Sequence, residues 1–323
     1  MTAFFQKLGK VASLLGLLAA SSSLQALDAA QLIPPGRFVD LETHRLYYEC
    51  MGSGQPAVVI DYGIGGSAIA WRDLQQRLAG ETTVCAYDRA GYGWSDPGPS
   101  PRTTESAAAE LHALVEHLKL AGPIVLVGHS FGGFNTRYYA ARWPTEVAGL
   151  VWLDSSHPEE ALGARAKHPG TALTNPLDAS RIATEQVEGN QAVGAYLNTR
   201  RKAIFTQMDE LAHFADSARQ VLAAGALPTV PLIVLVRDAA NGEPSAAAET
   251  RWHQSQATLA ELSPLGQLWR ATGSGHDIYR DRPDLVEKAV REVVESARKR
   301  GSVAGVNARQ GPPAAPLQPQ PRT

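Results

Sequence analysis

Pro123-Ile124-Val125-Leu126-Val127-Gly128-His129-Ser130-Phe131-Gly132-Gly133 is an apolar run that ends in Gly-x-Ser-x-Gly and leads into a stretch patterned as a helix. Such a pentapeptide marks a nucleophile elbow, in which a serine sits at a sharp turn between a strand and a helix. The backbone is strained there, and only small residues two before and two after the serine let the chains approach. Gly128 and Gly132 leave that room, and Ser130 is the residue presented. A chain of this length contains the pentapeptide by chance about one time in ten at ordinary Gly and Ser usage. The flanks therefore decide the reading. Residues 124–127 form a short β-branched run of the kind buried in a parallel sheet. After the serine, Phe134, Tyr138 and Ala141 fall at helical spacing until Pro144 ends the element.

Outward from the elbow the same alternation repeats. Residues 36–49 read as a β-hairpin, 57–61 as an apolar strand followed at once by a glycine-rich loop, 71–78 as a helix and 83–87 as a strand ending at Asp88. Residues 104–120 carry Ala108, Leu111, Leu114, Val115 and Leu118 on one face, an amphipathic helix stopped by Gly122. Residues 148–153 make a strand that ends at Asp154 and Ser155, 231–236 and 268–272 two more, and 283–299 a closing helix. Strands and helices in this rhythm predict βαβ units and a mostly parallel sheet. Residues 156–227 break it, being polar, alanine-rich and without a β-branched run, and read as a helical cap inserted between the two halves of the core, 36–155 and 228–300. Residues 301–323 are rich in Pro, Gln and Gly and read as a disordered tail.

With 44% apolar and 19% charged residues, the 323-residue chain has material for one large α/β domain. Thirty basic residues against thirty-two acidic ones leave a formal charge of −2 without a long same-sign run. No electrostatic footprint for nucleic acid follows from that balance, and a small-molecule substrate is expected. Residues 1–26 read as an export signal to the periplasm or beyond, with Lys7 and Lys10 before an apolar stretch at 11–20 and a Ser-rich approach to Ala26. The apolar stretch is too short to span a bilayer. A cut after Ala26 would put the bulky Leu24 three positions before it, so retention as an N-terminal anchor is the alternative. Cys50 and Cys85 are too few for a disulfide scaffold and wrongly spaced for a metal site. They would be bridged if their strands are neighbours and the compartment is oxidising, and buried thiols otherwise.

A serine hydroxyl needs a base within hydrogen-bond reach and a third group to orient that base. His276 is the expected base, since of nine histidines it alone follows a predicted strand and a glycine turn, Gly273-Ser274-Gly275. His112 and His117 lie five apart on a helix and read as structural, and His129 is expected to pack or bond locally, turned away from the nucleophile. Two aspartates stand at strand ends between Ser130 and His276 in chain order. Asp154 is preferred over Asp238, which follows its strand so closely that its carboxylate falls short of the usual loop position. The backbone N–H groups of Phe131, at a helix N-terminus, and of Ile64, in Tyr62-Gly63-Ile64-Gly65-Gly66, are the expected oxyanion donors. No metal-ligand spacing occurs, and no metal or organic cofactor is expected.

Gly128-His129-Ser130-Phe131-Gly132-Gly133, Asp88-Arg89-Ala90-Gly91-Tyr92-Gly93-Trp94-Ser95 and Gly275-His276, in this order, closely resemble the α/β-hydrolase superfamily in its capped, single-domain branch. The resemblance covers residues 36–300. It implies an eight-stranded, mostly parallel sheet with the second strand antiparallel and beside the fourth, an order that would bring Cys50 near Cys85. It also implies that the segment from Asp88 shapes the floor of the site without reacting. Two departures stand out: Tyr62-Gly63 replaces the His-Gly that opens the oxyanion loop of many members, and an acid in the loop after the seventh strand is not obvious. Some relatives carry that acid after the sixth strand, the position of Asp154. The resemblance implies a serine hydrolase that cleaves a carboxylic ester through an acyl-enzyme. The same triad in this superfamily also serves amide, lactone, thioester and C–C bond hydrolysis, cofactor-free peroxidation and, in some members, ligand sensing without turnover.

Overall fold

The computed structural model describes residues 32–167, 189–238 and 246–309. The proposed signal and part of the proposed cap lie outside them. Eight strands run β1 Arg37–Asp40, β2 Arg45–Met51, β3 Val58–Asp61, β4 Val84–Tyr87, β5 Ile124–His129, β6 Val147–Leu153, β7 Leu232–Arg237 and β8 Gly266–Ala271. They form one sheet in the order β1-β2-β4-β3-β5-β6-β7-β8. The β1/β2 and β2/β4 pairs are antiparallel and all others parallel. This is the topology of the α/β-hydrolase fold expected from the sequence.

Nearly continuous apolar strands follow from burial on both faces of the sheet, because alternate side chains point to opposite sides. Val59, Leu126, Leu150, Trp152, Leu232 and Val234 pack on one side, with α2 (Thr104–Leu118), α3 (Phe131–Arg142), α7 (Phe214–Ala223) and α8 (Ala246–Ala260). Val58, Ile60, Val127, Val151, Ile233 and Leu235 pack on the other, with α1 (Arg72–Leu78), α9 (Ile278–Asp281) and α10 (Pro283–Arg309). Between β6 and β7 lie α4 (Pro158–Lys167), α5 (Gly189–Asn198), α6 (Arg201–Ala212) and α7.

Several boundaries differ from the sequence reading for local reasons. Thr103 and Ser106 form a reciprocal capping box at the start of α2, and Lys119, at φ 48°, ends that helix before Gly122 is reached. The closing helix α10 does not stop at Gly301 but continues to Arg309, past the expected start of the tail. Gly301 and Gly305 cost the helix only about 1 kcal/mol each, and extending a formed helix needs no new nucleus. Cys50 and Cys85 stand opposite each other in the β2/β4 register, their Cα atoms 4.0 Å apart, and are joined by a disulfide.

Candidate active site

Parallel pairing brings the carboxyl ends of β3, β5, β6, β7 and β8 to one edge of the sheet, where ligands of open α/β sheets bind. In the β5/β6 register His129 faces Leu153, so Ser130 and Asp154 are the next residues on neighbouring strands. Both leave their strands with positive φ, 52° at Ser130 and 41° at Asp154. Such a backbone is costly for a non-glycine residue and persists only where the surroundings enforce it. At Ser130 the enforcement is visible: its N–H donates to Leu153 O at 3.1 Å, and its own carbonyl accepts from Gly133 and Ser156 N–H, each at 3.0 Å. The flanking glycines are needed sterically. A Cβ on Gly128 would sit 2.4 Å from Thr136 Oγ1, and one on Gly132 2.3 Å from Asp61 O.

His276 lies in the loop after β8, and its Nδ1 is 2.6 Å from Asp154 Oδ2. An ionised carboxylate only accepts, so Nδ1 carries the proton and Nε2 is left as the basic nitrogen. The carboxylate is fully buried while the imidazole side chain is 41% exposed. Burial by itself would raise the Asp154 pKa, but the hydrogen bond and charge of His276, together with Arg237 and Trp252, hold it below the ordinary carboxylate value. Burial likewise pulls His276 down, and the hydrogen bond and charge of Asp154 outweigh it, leaving the imidazole above its ordinary value.

Asp238 is placed elsewhere. Its N–H donates to Ser274 O at 3.1 Å, and its carboxylate accepts from Gly273 N–H at 3.3 Å and pairs with Arg270 at 3.3 Å. It braces the histidine loop from outside, without touching the ring in any described contact. His129 also departs from expectation. Its bond is not local: Nε2 lies 3.1 Å from the carbonyl oxygen of His276, and the two rings are 4.8 Å apart. Burial, and then the neighbouring His276 charge, push the His129 pKa down to about 4.

Gly63 lies against the nucleophile, where a Cβ would come 2.9 Å from Ser130 Cβ and 3.3 Å from Ser130 Oγ. The glycine-rich loop therefore reaches Ser130, with Ile64 the next residue along it. Phe131 is the first residue of α3, its ring buried, so its N–H is among those at the helix N-terminus that have no partner within the helix.

Sequence reasoning missed the clasp around Asp154. Arg237 Nη1 donates to Oδ2 at 2.9 Å, Trp252 Nε1 to Oδ1 at 2.7 Å, and Arg237 Nη2 to Glu249 at 2.7 Å. The Arg237 guanidinium also lies 4.9 Å over the Trp252 ring. Trp252 and Glu249 belong to α8, which had no assignment from the sequence. A cation closing an apolar strand, as Arg237 closes β7, was the one signal available. Among the described residues, no three or more His, Cys, Asp or Glu side chains are arranged to hold a metal ion, and no helix is long and apolar enough to cross a membrane.

The family follows from this topology and from comparison. A family profile described as the alpha/beta hydrolase fold matches residues 56–232. The chain belongs to that family and is a hydrolytic enzyme. It is 28% identical over 244 residues to Uncharacterized protein YqjL of Bacillus subtilis, covering 75% of this chain and 85% of that one. It is 33% identical over 159 residues to Lipase LipV of Mycobacterium tuberculosis, covering 49% of this chain and 58% of that one. A thermophilic esterase from Thermogutta terrifontis has a similar fold, with a TM-score of 0.59 at 22% identity, over 81% of this chain and 99% of that one.

Proposed function

We propose that this hydrolase is a serine esterase that cleaves a carboxylic ester of a small or medium-sized substrate through an acyl-enzyme. The observation that carries the reading is the 2.6 Å bond from His276 Nδ1 to the buried Asp154 carboxylate, beside a serine held at φ 52° in an elbow. In this reading Ser130 Oγ attacks the ester carbonyl as His276 Nε2 takes its proton. Asp154 holds the imidazole in the Nδ1–H form and stabilises the imidazolium. The N–H groups of Phe131 and Ile64 bind the oxyanion, where losing one donor typically costs about 100- to 1000-fold in turnover. Collapse of the tetrahedral intermediate gives the His276 proton to the departing alcohol. Water, deprotonated by the same imidazole, then attacks the acyl group, and as the C–O bond to Ser130 breaks His276 returns that proton to Ser130 Oγ, releasing the acid.

The helices between β6 and β7 are proposed to cap this edge and select the substrate, because the core supplies only the reacting groups. Export, proposed from residues 1–26, is supported by the Cys50–Cys85 disulfide, a bond that persists in oxidising compartments. The test is intact-mass labelling with a fluorophosphonate beside Ser130→Ala, followed by a panel of nitrophenyl esters. One adduct per chain, lost in the variant, together with turnover of any ester supports the reading. A folded protein that takes no adduct overturns it.

A further inference from the structure

Beneath the glycine-rich loop lies a cation that the proposed chemistry does not use. The Arg89 side chain is 0% exposed. It donates to Asp61 Oδ1 at 2.7 Å, at the end of β3, and to Glu210 on α6 at 3.0 and 3.1 Å. Its two remaining bonds go to the main chain of the loop itself: Nη1 to the carbonyl oxygen of Tyr62, and Nη2 to that of Gly63 at 3.2 Å. The guanidinium lies 4.9 Å from the Tyr62 ring, 5.1 Å from the Tyr92 ring and 5.5 Å from the ring of Phe131, the residue after the nucleophile. Burial draws its pKa down, but Glu210 and Asp61 outweigh that, and it stays a permanent cation. Buried ion clusters are often no more stabilising than an apolar plug of the same volume, so stability is a poor account of why a charge is kept here.

Peptide geometry gives a better one. The Gly63–Ile64 peptide is trans, so its carbonyl and its N–H point in opposite directions. Gly63 O is held within the loop by the Gly66 N–H at 3.2 Å and from below by the guanidinium at 3.2 Å, and whatever fixes that carbonyl on one side of the loop fixes the Ile64 N–H on the other. A hydrogen bond on the carbonyl also polarises the amide and strengthens the N–H as a donor. We propose that Arg89 is a positioning residue that aims the Ile64 N–H at the oxyanion, and that Glu210 holds Arg89 in that orientation, so that docking of α6 sets the oxyanion loop. The inference rests on the acyl-transfer reading given above.

Helix α6 makes further contacts with the same ground. The Tyr92 hydroxyl donates to Glu210 Oε2 at 2.7 Å. Thr206 presses on Gly91, where a Cβ would fall 1.8 Å from its Oγ1, and Gln207 lies against Gly65. Asn198, the last residue of α5, donates through its side chain to the carbonyl of Gly65. The loop is thus gripped by its carbonyls from below and from the helix side, while the Gly66 N–H turns back onto Gly63 O at 3.2 Å.

The experiment compares wild type, Arg89→Lys and Glu210→Gln, each checked for folding by thermal unfolding. Steady-state kinetics on a nitrophenyl ester are read together with amide exchange of residues 62–66 by NMR. Lysine keeps the charge but cannot fork between two carbonyls. A misplaced donor is expected to lower kcat about 10- to 100-fold, with KM within about twofold because the loss falls on the transition state. The Ile64 amide should exchange faster in both variants. If Arg89→Lys does not fold, Glu210→Gln carries the test, since Asp61 still balances the guanidinium. Folded variants with wild-type kcat, or a loss confined to KM, would overturn the proposal. A wild type that turns over no ester would overturn the acyl-transfer reading and this role with it, and is told apart from failure of the brace alone, where the wild type is active and the variants match it.

Discussion

Asp154 is fully buried and His276 is 41% exposed at its side chain, yet the two are joined by a 2.6 Å hydrogen bond. One end of the pair is dry and fixed, and the other reaches solvent and substrate. The positive φ of Asp154 turns the chain sharply off β6, and Trp252 and Arg237 fasten the carboxylate there. Replacing this acid with its amide leaves the shape but offers Nδ1 the wrong partner. Asp154→Asn is expected to lower kcat on a nitrophenyl ester by about 10⁴-fold. Asp238→Asn, which disturbs only the outer bracing of the loop, should stay within about tenfold of wild type, since no described bond joins it to the ring.

Arg237 donates to the same Asp154 oxygen that accepts from His276, and its positive charge opposes protonation of the imidazole. A base must be neutral to act, so the rising limb of kcat/KM against pH follows the His276 pKa. Removing the cation raises that pKa further. The Arg237→Gln limb should therefore move to higher pH than in wild type, most clearly with Glu249→Gln present to avoid stranding the carboxylate that Arg237 also binds. A limb that moves down or stays in place would contradict this electrostatic role.

The strands, the elbow and His276 were legible because their signals are local. Apolar runs, glycines and the residue after a strand can be read within a dozen positions. The partners of Asp154 were not legible in that way. Trp252 is 98 positions away on α8, and Glu210 meets Arg89 across 121 positions, so only the folded sheet and its helices bring them together. Asp154 and Asp238 look alike in sequence, each an aspartate after an apolar strand. What separates them is direction: Asp154 turns inward at φ 41°, whereas the N–H of Asp238 is tied to Ser274 and its carboxylate to Gly273 and Arg270. His129 was misread for a related reason, because its partner, the carbonyl of His276, lies 147 positions along the chain.

His129 should make the fold acid-sensitive above the carboxylate range. Its folded pKa is about 4 against an ordinary 6.5, so an unfolded chain takes up this proton first as pH falls. Stability from this group is fully present above pH 6.5 and is lost as pH falls toward 4, by up to about 3 kcal/mol at about 1.4 kcal/mol per unit. His276, whose folded pKa is raised, acts in the opposite sense, its contribution present at low pH and lost as pH rises through that value. In urea unfolding, His129→Gln should flatten the decline between pH 6.5 and 4. An unchanged slope would mean that this ring is not held neutral.

The Cys50–Cys85 disulfide closes a chain separation of 35 residues between an antiparallel and a parallel part of the sheet. On the chain-entropy account a loop of that size stabilises the fold by about 4 kcal/mol. The Cys50→Ser/Cys85→Ser double variant should lower the urea midpoint accordingly while leaving kcat at low denaturant within about twofold, because β2 and β4 carry none of the proposed reacting groups.

Gly63 offers the sharpest separation of activity from stability. A methyl group there would sit 2.9 Å from Ser130 Cβ and 3.3 Å from Ser130 Oγ, close to where a bound ester carbonyl must approach the nucleophile. The nearest atoms are side-chain atoms at the edge of the site, and Gly63 itself has no positive φ to strain. Ser130 Cβ is tied to the elbow and the loop to Arg89, so one of them must shift by a few tenths of an ångström, at a cost to folding of about 1–3 kcal/mol. The reaction is less tolerant, because a shift of about 1 Å in a reacting group costs about 100-fold in rate. Gly63→Ala is expected to stay folded with a lowered thermal midpoint while losing most of its kcat and its reaction with a fluorophosphonate. Full activity in this variant would show that the loop approaches the substrate along some other line than past Gly63, and would remove Ile64 as the oxyanion donor.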